Sequence, residues 1–68
     1  MDEKKRLVTV LEHWVEHNES HLEDYRKWGE SASRLGLESV GSEIEAAASK
    51  LAQSNDHLRR ALKSVGSI

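Results

Sequence analysis

The sequence predicts an all-α protein: an antiparallel two-helix hairpin that dimerises into a four-helix bundle. Three observations carry this expectation. Apolar residues recur in a four-three alternation through both halves of the chain. Proline is absent and only 4 glycines occur in 68 residues, so little interrupts a helix outside the stretch from Gly36 to Gly41. That stretch divides the two periodic halves.

In the first half the predicted seam is Leu7, Leu11, Trp14, Asn18, His21, Tyr25, Trp28, Ala32 and Leu35, giving a helix over about residues 3–35. Lys27 follows Glu23, and Arg34 follows Glu30, at the acid-first four-residue spacing that modestly supports helix. Gly29 weakens it by roughly 1 kcal/mol relative to alanine. Gly36 suits the left-handed position just past a helix end, with Leu37 folding back on the last turn.

The second stripe is Val40, Ile44, Ala47, Leu51, Ser54, Leu58, Ala61 and Val65, with Leu62 beside it and Gly66 as an end signal. It predicts a helix over about 39–65 after a turn at 36–38. Two starts compete: a capping box of Ser42 and Glu45, and an earlier start near Glu38 with Gly41 inside the helix. Glu38, Glu43 and Glu45 near the beginning and Arg59, Arg60 and Lys63 near the end complement the helix dipole. The small side chains of residues 46–54 let helices approach closely and suggest no chemistry.

Residues 1–68 therefore read as one helical-hairpin domain. A lone hairpin has a single seam and buries little, so a second copy is expected. The apolar flank Val8, Leu11, Val15 and Leu22 is the predicted surface for it, with Asn18 as an amide paired across that interface. Trp14, Tyr25 and Trp28 are expected in the core as the largest apolar groups of a chain without Phe.

Composition narrows function. There is no cysteine, hence neither disulfide nor thiolate zinc site. Ten basic and twelve acidic residues, mixed along the chain, give a formal charge of −2, which argues against nucleic acid as a partner. The short, charge-broken apolar stretch at the start is neither signal peptide nor membrane span, so the expected location is the cytoplasm. Catalysis finds no support: no serine sits in a glycine elbow, and a hairpin has no deep cleft. Glu16 and His13 are in the wrong order for the Glu-x-x-His pairs of di-iron bundles. An enzyme is not expected.

One cluster does suggest chemistry. His13, His17 and His21 stand four apart and Asp24 follows, so a helix aligns them as a ridge on one flank of the seam. If facing positions across the hairpin sum to about 76, His57 falls level with residue 19, between His17 and His21, on the corresponding flank. Imidazole nitrogens and carboxylate oxygens are ligands for nickel, zinc or cobalt. The expected set is His17, His21 and His57, with Asp24 or His13 as fourth ligand or as support for a ligand ring. The competing reading is a structural or protein-interaction module in which His21 and Asn18 form a polar packing layer and the other histidines are solvated. Haem held by two copies of His21 ranks low, since the core lacks the run of small residues a porphyrin needs. A histidine pH switch is a further option.

The run "HWVEHNESH" at residues 13–21, followed by "EDYRKW" and "NDHLRRAL", resembles a group of small, uncharacterised prokaryotic helical-hairpin proteins with an H-W-x-x-H-N-x-x-H signature. The signature matches at His13, Trp14, His17, Asn18 and His21. The resemblance spans nearly the whole chain and implies the hairpin fold and a histidine-based role, without a defined activity. His57 lies outside the signature, so its share in a site rests on geometry alone.

Overall fold

The structure, a computed structural model, describes residues 2–66. Helix α1 runs Glu3–Arg34 and helix α2 runs Glu38–Gly66, an all-α hairpin with no strand among the described residues. Asp2 caps α1, its carboxylate accepting from the Lys4 amide at 3.0 Å.

The turn follows from one glycine. Gly36 has φ +78°, the left-handed conformation a side chain resists. Around it the Leu37 amide donates to the Ala32 carbonyl at 2.9 Å and the Gly36 amide donates to the Ser33 carbonyl at 3.0 Å, which is the Schellman pattern. The Leu37 carbonyl already accepts from the Gly41 amide at 3.0 Å, so α2 begins at Glu38 and runs through Gly41. The capping box at Ser42 is therefore not a helix start.

The helices lie side by side in a slab 52 × 17 × 11 Å. Among the described residues nothing covers either broad face. The seam between them contains Val8, Leu11, Val15, Asn18, Leu22, Tyr25, Gly29 and Ala32 from α1. From α2 it takes Gly41, Ile44, Ala48, Leu51, Asn55, Leu58, Leu62 and Val65. Close approach is possible where glycines meet. A Cβ on Gly41 would come within 3.2 Å of the Gly29 carbonyl oxygen and 2.9 Å of Ser33 Oγ, and a Cβ on Gly29 would touch Ile44 at 3.5 Å. Gly29 thus admits the partner helix, beyond any weakening of its own.

This seam corrects half of the expected one. Leu11, Asn18, Tyr25 and Ala32 face α2 as expected, but the other heptad position belongs to Val8, Val15, Leu22 and Gly29. Their neighbours Leu7, Trp14, His21, Trp28 and Leu35 are exposed, Trp14 by 49% and Trp28 by 62%. On α2 the inner positions are Gly41, Ala48, Asn55 and Leu62 in place of Val40, Ala47, Ser54 and Ala61. The flank expected to meet a second hairpin is the hairpin's own seam.

Candidate functional site

Two amides sit at the middle of the seam. Asn55 is 0% exposed; its Nδ2 donates to the Val15 carbonyl at 3.2 Å and its Oδ1 accepts from Asn18 Nδ2 at 3.1 Å. Asn18 is thus paired inside its own hairpin rather than across a subunit interface. Asn55 escaped the sequence reading, although its heptad spacing from Gly41, Ala48 and Leu62 was the available signal.

The two broad faces differ in chemistry. One carries the ion pair of Arg59 with Glu19 at 2.9 Å, flanked by Asp56 at 3.5 Å from the same guanidinium. Exposed pairs of this kind contribute little to stability, but they tie α2 to α1. The opposite face bears the exposed apolar residues Leu7, Val10, Trp14, Trp28, Leu35 and Val40. The histidines interrupt that apolar stripe.

Three of the four histidines form a ladder along α1. The rings of His13 and His17 stack with centroids 5.8 Å apart, and His17 meets His21 edge-on at 4.4 Å. Tyr25 continues the row 6.4 Å from His21. His17 Nε2 and His21 Nε2 stand 3.0 Å apart. In the metal-free chain one of these nitrogens donates and the other accepts. Two nitrogens at that separation, each about 2.05 Å from a shared ion, subtend about 95° at it, close to the cis angle of square-planar or octahedral coordination. The pair can act as a bidentate clamp.

His57 and Asp24 do not join it. Among the described residues no three His, Cys, Asp or Glu side chains converge to hold an ion. Two physical reasons account for this. Contacts of Asn18 with Asn55 and of Gly29 with Ile44 set facing residues to a sum of about 73 on antiparallel helices, so His57 is level with residue 16, not 19. More decisive is direction: at about 100° per residue, His17 lies roughly 120° round α1 from the seam and His57 roughly 130° round α2, so their side chains diverge. All four histidines are solvent-exposed.

Fold and site together define a class: a two-helix protein with one polar face and one apolar, histidine-bearing face left open. Over residues 7–65 the chain belongs to the family described as a domain of unknown function, DUF8180. No curated protein and no solved structure matches it. No helix among the described residues is long and apolar enough to cross a membrane.

Proposed function

We propose that this chain is a non-enzymatic helical assembly module which forms a homodimer by stacking the histidine face of one hairpin on that of another, giving a four-helix bundle. One observation carries the reading: Leu7, Trp14, His21 and Trp28 on α1 and Leu35 at its C-cap repeat every seventh residue and are all exposed. A heptad stripe holding two tryptophans is the pattern of a helix-packing surface. The thin core supports it further. Among the described residues Leu11, Leu22, Ala32 and Ala48 are the buried apolar side chains, and full burial of a leucine contributes only about 1.5–3 kcal/mol. A cytoplasmic location belongs to the same proposal, resting on the charge-rich composition.

A second reading is favoured by the His17–His21 clamp: the module binds a divalent transition metal ion, nickel, zinc or cobalt, and serves in metal handling. The test is sedimentation equilibrium in EDTA followed by titration with nickel chloride. The proposal expects a dimer whose dissociation constant rises when Trp28 is replaced by Glu. A monomer at all concentrations, with or without nickel, contradicts it.

A further inference from the structure

We propose that the two-fold axis of this dimer runs parallel to the helices, so that each α1 lies against the partner's α2, and that His17 and His21 of one protomer with the partner's His57 form an intersubunit site for a divalent transition metal ion. The inference rests on the dimer proposed above.

Symmetry sets the register without adjustment. A rotation about an axis parallel to the helices leaves every height unchanged, so the partner's α2 presents each residue at the height it has beside its own α1. Facing residues across the interface then sum to about 73, as they do within the hairpin. The exposed stripes obey this relation. Trp14 falls opposite the partner's Ala61, His21 opposite Ser54 of the partner subunit, and Trp28 opposite the partner's Ala47, each within about 3 Å in height. Each of these residues lies roughly 80° from its seam, on the broad face, at about 100° per residue. Large side chains on α1 meet small ones on α2, the alternation that fills a bundle core. The other stacking, α1 on α1, sets Trp14 against the partner's Trp28 and leaves small residues facing small ones on the α2 side.

Charge agrees. Farther round the same face, Asp24 comes level with the partner's Lys50. The area is sufficient as well, since a 52 × 17 Å face matches the roughly 800 Å² per partner that standard interfaces bury.

The same placement gives His57 its purpose. Within one hairpin His17 and His57 point away from the seam and diverge. In the stacked dimer the partner's α2 lies over α1, and the partner's His57 comes level with His17 on the same outer edge. Both rings then lean toward the groove between the two helices. The His17–His21 clamp, with its nitrogens 3.0 Å apart, supplies two ligands and the partner's His57 the third. Two equivalent sites result per dimer.

Mixing complementary variants tests this. His57→Ala alone and His17→Ala/His21→Ala alone are both expected to lower nickel affinity by more than about tenfold, the scale that even outer-shell changes reach. Since all three side chains are exposed, the variants are expected to fold, which helical circular dichroism verifies. Combined and allowed to exchange, they are expected to recover tight nickel binding, because each mixed dimer regains one complete site. A dimer that binds nickel in neither wild-type nor mixed form, or whose mixture recovers nothing, overturns the intersubunit site and leaves the assembly proposal standing. A wild-type chain that stays monomeric with and without nickel chloride overturns both.

Discussion

Asn55 is the most deeply buried side chain of the hairpin, and it is polar. Its two hydrogen bonds, to Asn18 and to the Val15 carbonyl, satisfy it without water. A buried amide that finds a partner only at one register specifies that register. Asn55→Ala leaves the Asn18 amide without its partner and is expected to cost about 1–3 kcal/mol in urea unfolding. The double variant Asn18→Leu/Asn55→Leu is expected to recover much of that loss while allowing the helices to slide, visible as broadened amide spectra. Gly36 is the second decisive residue. At φ +78° a Cβ is strained, so Gly36→Ala is expected to destabilise by about 1–2 kcal/mol even though nothing lies within 4 Å of the added carbon.

At the scale of the helices, both lengths and the turn were legible from periodicity and Gly36, and the expected boundaries agree within a residue. The choice of inner face was not. Each helix carries adjacent pairs that satisfy a heptad equally well: Leu7 with Val8, Trp14 with Val15, and Trp28 with Gly29 on α1. Ranking by bulk places the tryptophans inside, whereas helices that approach through Gly29 and Gly41 leave room on α1 only for the smaller member of these three pairs; on α2 the larger Asn55 is taken inside in place of Ser54. Packing volume decides the matter, and hydropathy periodicity does not contain it. The histidine ladder was legible because four-residue spacing on a helix determines it. His57 was misplaced, as a small error in register combined with a direction that periodicity gave only coarsely. The same reasoning predicts that Gly41→Val, which puts carbon against the Gly29 carbonyl and Ser33, costs about 1–3 kcal/mol despite valine's better helix propensity, measured by thermal unfolding.

The whole molecule is a slab two helices wide and one helix thick, with a polar face and an apolar one. Single hairpins of this kind have little interior, so stability is expected to rise with protein concentration, as it does whenever folding and association are linked. Trp28→Glu removes an exposed indole and puts a charge in its place. It is expected to weaken the dimer by about 2 kcal/mol or more, a roughly thirtyfold rise in dissociation constant, while the monomer stays helical. Nickel at a hundredfold excess over its dissociation constant is expected to add about 2.7 kcal/mol to unfolding free energy, and to lose that effect in His57→Ala.

The central claim, that α1 packs on the α2 of a second copy through the histidine face, is open to a direct measurement because the chain has no native cysteine. His21→Cys and Ser54→Cys chains are prepared separately, mixed under reducing conditions and then oxidised. The account predicts an intersubunit disulfide that forms only in the mixture, linking one chain of each kind. Efficient cross-linking of His21→Cys to itself, with none in the mixture between unlike chains, would place α1 on α1 and contradict it.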